Sequence, residues 1–134
     1  MKDWIIPANP RVFDIDAALA ANQGLLDWRV KNVSEGDIVY IYKSRPDSCI
    51  RYMMEVVNAN VPVSERLEQH RFWFDQENEA RGDTQRARLS LVDVFDPNLF
   101  PLSALRQHGI KGNIQSKREC PPETQEYLIE KFRQ

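Results

Sequence analysis

Side chains that could perform covalent or metal chemistry are few and widely spaced in this sequence. The chain has two histidines, His70 and His108, and two cysteines, Cys49 and Cys120. A Ser or Cys nucleophile needs a histidine and an acid to activate it, and a zinc site needs Cys or His ligands at short spacing. Neither pattern occurs, and no glycine-rich phosphate loop or nuclease core is present. The sequence therefore predicts no catalytic residues, no metal site and no cofactor.

Aromatic and polar side chains at strand ends point to binding instead. Trp28 lies between Asp27 and Arg29, two charges that make a wholly buried environment less favourable. A single tryptophan is also a common core or wall residue, so both interpretations of Trp28 stay open. Three more candidates end the apolar strand "GDIVYIYKS", at a position where site residues often lie: Tyr42, Lys43 and Ser44. Lys43 could equally be solvated, and Ser44 could simply form the turn.

A second candidate segment is "HGIKGNIQSKREC", residues 108–120. It combines two glycines and two side-chain amides with three basic residues: Lys111, Lys117 and Arg118. Such a loop could offer backbone N–H groups and positive charge to a phosphate. The alternative is a solvated connection between two helices.

Composition is typical of one ordinary globular domain, which we expect to span residues 1–134. Hydrophobic residues make up 42% of the chain and charged residues 28%, with a net charge of −2 and a pI near 5.7. This balance excludes a uniformly basic nucleic-acid coat, so any phosphate binding must use a local patch. Two distant cysteines and no apolar leader favour a reduced, cytoplasmic setting.

The elements that must position these candidates form an α+β pattern. Strands are predicted for "DWIIP", "GDIVYIYKS", "SCIRYMMEVVNANV" and "ARLSLVDVF", and short helices for "DIDAALAANQ", "PLSALRQH" and "PPETQEYLIEKF". The second and third strands should form a hairpin, with Ile50 on the same face of its strand as Tyr52. "FWF", residues 72–74, is either a further strand or an edge element. Five or so twisted strands with both faces apolar would curl into a barrel.

Four stretches taken together resemble the EVE domains: "WIIPANP", "LLDWR", "VSEGDIVYIYKSRPDSCIRYMMEVV" and "IKGNIQSKRECPPETQEYLIE". EVE domains belong to the PUA-like superfamily, which also contains the YTH and ASCH domains. The resemblance implies a small mixed PUA-like β-barrel of five or six strands with short peripheral helices. It is nearest to EVE domains that accompany HNH nucleases in modification-dependent restriction, and no nuclease is present in this chain.

The resemblance further implies a pocket at one end of the barrel that accepts a single modified base flipped from its stack. Methylated or hydroxymethylated cytosine in DNA is the favoured ligand. The base-binding residues implied in this sequence are Asn9, Trp28, Tyr42, Lys43, Ser44 and Gln115. Residues expected to contact phosphates are Arg29, Lys111, Lys117 and Arg118. The acid-rich stretch "DQENEARGD" would repel phosphate, so we expect it on the far side.

Three other functions stay open at this point. The same pocket could bind modified RNA, as PUA and YTH relatives suggest. The chain could be a small hydrolase of modified nucleosides, like some ASCH relatives, with Lys43 and either Asp37 or Glu55 supplying acid–base chemistry. It could also be an interaction module with an empty pocket. As a reader it would act alone or with a nuclease, carried in a longer chain or by a separate protein.

Overall fold

A mixed sheet of six strands organises the computed structural model, which describes residues 1–74 and 85–132. The strands are β1 (Asp3–Ala8), β2 (Leu25–Trp28), β3 (Ile38–Lys43), β4 (Cys49–Asn58), β5 (Ala87–Val94) and β6 (Arg118–Glu119). The helices are α1 (Ile15–Ala21), α2 (Leu102–Gln107) and α3 (Pro122–Phe132), with single 3₁₀ turns at Val63–Glu65 and His70–Phe72. The acid-rich stretch that we expected on the far side lies outside the described residues, so its position stays a prediction.

The strand order is β2-β5-β4-β3-β1-β6, and only β1 and β3 run parallel. The predicted α+β fold class is confirmed. The predicted hairpin is β3 and β4, joined by the turn at residues 44–48. Sequence patterns missed the two end strands, because β2 has four residues and β6 has two, too few to show a period.

Both faces of the sheet are covered by apolar residues, as the side-chain alternation of β1 and β3 shows. Ile6 and Ile41 belong to one buried cluster, which includes α1, whereas Ile5 and Tyr40 belong to the other, which includes residues of α2 and α3. The prediction for Ile50 was wrong. A bulge in β4 pairs Tyr52 with Ile41 but Ile50 with Tyr42, so Ile50 joins the second cluster and Tyr52 the first.

A buried ion pair holds the edge strand β2 against β5. Asp27 is 1% exposed, and its carboxylate accepts hydrogen bonds from Arg88 Nε at 2.9 Å and Nη2 at 3.1 Å. The backbone N–H of Leu67 donates to the same carboxylate, and Gln69 pairs with both backbone groups of Asp27. The charge of Asp27 predicts an exposed environment for Trp28, whereas Asp27 itself is buried and anchors the strand. Trp28 follows it at the strand end and is half-buried.

The "FWF" segment is not a regular strand. It contains the end of a 3₁₀ turn at Phe72 and a single antiparallel bridge between Trp73 and Phe13. The Phe74 N–H donates to Val12 O at 2.9 Å. This segment therefore packs Trp73 beside the chain that leaves β1.

Candidate functional site

A cleft of about 770 Å³ opens at the end of the sheet where the parallel strands β1 and β3 finish. Its volume lies within the usual range for small-molecule sites. Ala8 and Lys43 are the last paired residues of the two strands, and the Ser44 N–H donates to Ala8 O at 2.9 Å. The segments that follow β1 and β3 therefore leave the sheet side by side and form neighbouring walls of the cleft.

The cleft brings together residues that are far apart in the chain. Five of the six residues that we expected to bind a base line it: Asn9, Trp28, Tyr42, Ser44 and Gln115. Four segments supply them, namely the exit of β1, the end of β2, the end of β3 with its turn, and the loop before β6. Their convergence on one surface is a property of the fold, since no two of these segments are adjacent in sequence.

One wall of the cleft is aromatic. The rings of Trp28 and Trp73 are nearly parallel, with 8° between their planes and 6.1 Å between centroids. Phe13 packs against both, at 5.1 Å from Trp28 and 4.7 Å from Trp73. Trp73, the central residue of "FWF", is 7% exposed and lines the cleft as well. Its indole N–H is buried and has no hydrogen-bond partner among the described residues.

The polar wall consists of side chains with donor and acceptor groups left for a ligand. Asn9 Oδ1 accepts a hydrogen bond from the Arg11 N–H at 2.9 Å, which orients the side chain and leaves its NH₂ group exposed. Ser44 and Ser48 lie in the turn after β3, where the Ser48 N–H donates to Ser44 O. Gln115 is exposed on the opposite loop. Such side chains can hydrogen-bond the edge of a flat heterocycle.

Lys43 is the one base-pocket candidate that does not line the cleft. It is 7% exposed, and its ammonium lies 2.8 Å from Asp16 and 3.0 Å from Asp47. Tyr52 donates its hydroxyl hydrogen bond to the same Asp16 carboxylate. Burial alone would lower the pKa of Lys43, but the two carboxylates raise it above its ordinary value. Lys43 is therefore a charged structural residue, held away from the ligand space.

The arrangement required for a hydrolase with Lys43 does not form. Asp37 precedes β3 and Glu55 pairs with its first residue, Ile38, so both lie at the opposite end of the strand from Lys43. Positions 37 and 43 are six residues apart along the strand, which corresponds to about 20 Å. Asp37 instead accepts hydrogen bonds from Trp4 Nε1 at 2.9 Å and from two backbone N–H groups. Lys43 therefore pairs with neither of the acids that the hydrolase alternative would need, because Asp37 and Glu55 lie at the far end of β3.

The four residues expected to contact phosphates separate in the structure. Arg29 lines the cleft, with its guanidinium 5.4 Å from the Trp73 ring centroid. Lys111, Lys117 and Arg118 are not among the lining residues. The Lys117 ammonium donates to Lys31 O at 2.7 Å and lies over the Trp4 ring, so it fastens the late loop to the N-terminal region.

Three other arginines line the cleft and were missed: Arg11, Arg45 and Arg106. Two of them had a usable signal, because Arg11 is two residues from Asn9 and Arg45 directly follows Ser44. Arg106 had no such signal, since it lies in the last turn of a short helix and far in sequence from the other cleft residues. Within the described ranges, no group of three or more metal-binding side chains occurs, and no helix is long and apolar enough to cross a membrane.

Comparison with known families agrees with this architecture. The model of the EVE domain matches residues 2–129, nearly the whole chain. The chain belongs to the EVE domain family. EVE domains are PUA-like nucleic-acid-binding modules. This EVE domain finds no match among curated proteins.

Solved structures share the fold of this EVE domain at low sequence identity. The crystal structure of ASCH from Zymomonas mobilis is 17% identical, with a TM-score of 0.65 over 96% of this chain and 94% of that one. A crystal structure of a Pseudomonas putida protein is 20% identical, with a TM-score of 0.63 over 96% and 98% of the two chains. A Leishmania major protein is 18% identical, with a TM-score of 0.61 over 97% and 93%. At these identities the likeness extends to the fold alone.

Proposed function

We propose that this EVE domain is a reader of modified nucleic acid, which binds one methylated or hydroxymethylated cytosine of DNA, flipped into the cleft. The observation that carries the proposal is the convergence of an indole wall and three hydrogen-bonding side chains on one open cleft. A flipped base is a flat aromatic ring with donors and acceptors along its edge, and these two kinds of wall match its two kinds of surface.

Each wall has a distinct role in this proposal. Trp28, half-buried on the edge strand, stacks on the base, and Trp73 with Phe13 holds its ring from behind. Asn9, Ser44 and Gln115 hydrogen-bond the base edge, while Tyr42, a buried residue of the lining, closes the floor. The five side chains proposed to contact the base, namely those of Asn9, Trp28, Tyr42, Ser44 and Gln115, lie on strands or in the segments next to them, which favours a preformed site.

The energies of these contacts suffice to bind a base but limit discrimination. Flipping costs a few kcal/mol, and stacking on an aromatic ring returns about 1–3 kcal/mol per base, so hydrogen bonds to the base edge must supply the rest. One methyl group in an apolar pocket contributes only about 1–3 kcal/mol of selectivity. We therefore expect a preference of about tenfold to a hundredfold for the modified base.

The lining argues against hydrolysis as the main activity. Among the described residues that line the cleft, none is an Asp, Glu, His, Cys or Lys. General acid–base catalysis needs a group that can exchange a proton near neutral pH, and Ser, Tyr and Arg side chains do so poorly without one. Similarity in fold to an ASCH protein does not supply the missing groups in this chain.

Modified RNA is the second candidate ligand, because the base-edge chemistry is the same in both polymers and only contacts to the 2′-OH separate them. A link to restriction would add a nuclease as partner, in a longer chain or as a separate protein. Both points follow from the family resemblance, and the same binding assay compares the two polymers.

The experiment is a low-salt binding assay of the full chain with matched DNA and RNA oligonucleotides. Each contains one cytosine, methylcytosine, hydroxymethylcytosine or methyladenine. Trp28→Leu removes the stacking ring but keeps apolar volume, and Phe132→Leu, at the exposed end of α3 and outside the cleft, is the control. Circular dichroism and urea unfolding establish that both variants fold.

The proposal predicts tighter binding to one modified oligonucleotide, reduced about tenfold or more in Trp28→Leu and retained in the control. Equal affinity for modified and unmodified strands refutes base reading. An unchanged preference in a folded Trp28→Leu protein removes Trp28 from the site. Turnover of a free nucleoside by the wild type would restore the hydrolase alternative.

A further inference from the structure

Positive charge is concentrated at the cleft in a chain whose net charge is −2. Four arginines line it, and the described lining contains no acidic residue. Three of these arginines come from different segments: Arg11 from the exit of β1, Arg45 from the β3–β4 turn, and Arg106 from the end of α2. Long-range attraction of the whole molecule for phosphate is therefore weak, whereas the local field at the cleft favours an anion.

None of these three arginines is neutralised by an ion pair with another described residue. Arg45 is two residues from Asp47, which could have cancelled its charge. The Lys43 ammonium occupies that carboxylate instead, at 3.0 Å, and does the same for Asp16 at 2.8 Å. The buried lysine thus pairs with both acids and offsets part of their charge, while Arg45 is exposed and has no ion pair with a described residue.

Arg106 is oriented by its own neighbours. Its Nε donates to Gly112 O at 3.2 Å and its Nη2 to Asn113 Oδ1 at 2.7 Å. A guanidinium has five N–H donors in a planar fork, so three remain for a ligand. These bonds also tie the loop that carries Gln115 to the end of α2. A cation held in this way suits bidentate recognition of a phosphate.

From this arrangement we infer that the cleft takes a nucleotide from within a strand and holds the phosphates on both sides of it with Arg11, Arg45 and Arg106. The inference rests on the proposed function and adds how the strand is held. The cleft recognises the phosphodiester chain around the base, so a free base or nucleoside is not its ligand. A free base would use the aromatic and amide walls and leave three guanidinium groups unoccupied.

The test measures binding of the full chain to a short single-stranded oligonucleotide with one central modified base, over a range of salt concentrations. Unlabelled nucleoside, nucleoside monophosphate and a trinucleotide with both flanking phosphates serve as competitors. The variants are Arg11→Gln, Arg45→Gln and Arg106→Gln. Lys131→Gln removes one charge from the exposed end of α3, outside the cleft, and Arg106→Lys retains charge at the loop anchor.

Each cleft variant should reduce the slope of log K against log salt by about 0.7, the value for one lost contact to a single strand. The affinity at low salt should fall about tenfold, while Lys131→Gln leaves the slope unchanged. The trinucleotide should compete at least about a hundredfold better than the nucleoside. A nucleoside that competes equally well, or cleft variants with the slope of the control, would overturn the inference.

The same data separate this inference from the proposed function. Selectivity is the ratio of affinities for modified and unmodified strands, and Arg11→Gln and Arg45→Gln should leave it unchanged because phosphates carry no base identity. Arg106→Gln is left out of this comparison, because Arg106 also holds the loop that carries Gln115. Binding without selectivity, with a salt slope that falls in the arginine variants, refutes base reading and supports the phosphate contacts of the three arginines. Selective binding, with a salt slope that the arginine variants leave unchanged, supports base reading and refutes those phosphate contacts. No binding at low salt refutes both.

Discussion

Replacing Arg88 with methionine should destabilise the protein strongly, because it leaves the buried Asp27 carboxylate without its cationic partner. Asp27 is 1% exposed, and Arg88 supplies two of the hydrogen bonds to its carboxylate. Removing one partner of a buried ion pair costs about 3–5 kcal/mol. The Leu67 N–H still donates to Asp27 at 2.7 Å, and the Arg88 side chain is 23% exposed, so we expect the lower end of that range.

Urea unfolding measures this loss directly. A loss of about 3 kcal/mol with an m value of about 2 kcal/mol/M lowers the unfolding midpoint by about 1.5 M. Arg71→Met is the control, because Arg71 is exposed and only 3.7 Å from the exposed Glu68, a pair that contributes little. A double-mutant cycle with Asp27→Asn should give a coupling of about 1–3 kcal/mol.

The reasoning is refuted if Arg88→Met stays within about 0.5 kcal/mol of the wild type, the usual range for surface substitutions. A large loss without coupling to Asp27 would assign the effect to the Arg88 bond with Glu65 O or to its packed stem. Either result would also change the account of the cleft, since Trp28 is placed by the pairing of β2 with β5.

Three further predictions concern groups next to the sheet. Burial alone would raise the pKa of Asp37, but hydrogen bonds hold it below its ordinary value of 3.8. The stability that Asp37 contributes is therefore present above about pH 4 and is lost as the pH falls through the folded pKa. In urea unfolding at decreasing pH, Asp37→Asn should lose less free energy of unfolding than the wild type does. Lys43→Met should lower stability by about 1–2 kcal/mol in thermal unfolding, because Asp16 and Asp47 keep partial access to solvent; a change below about 0.5 kcal/mol contradicts the structural role. Burial raises the pKa of the Cys120 thiol to about 12, so mass spectrometry should find it unalkylated at about pH 8 in the native protein and alkylated in urea; rapid native labelling would contradict the burial.

Local signals were sufficient for most of the fold and for part of the site. Asp14, the first residue of the predicted helix "DIDAALAANQ", caps α1 by accepting a hydrogen bond from the Ala17 N–H at 3.1 Å. The β-branched and aromatic run before Lys43 forms the central strand β3. The ends of strands β1 and β3 supply Asn9, Tyr42 and Ser44 to the cleft, which agrees with the rule that sites lie where strands end.

Sequence by itself determined the class of fold and the order of most elements, because these depend on periodicity, turn residues and residue type. Tertiary structure alone decided which charges face the ligand. Lys43 and Asp27 look like site or surface residues in sequence, yet both are buried in ion pairs with partners at residues 16, 47 and 88. Arg45 and Arg106 look like solvated charges, yet both reach the cleft. A charge takes its role from the partner that the fold sets beside it, and Asp16 and Arg88 are 27 and 61 residues away in the chain from the residues they pair with.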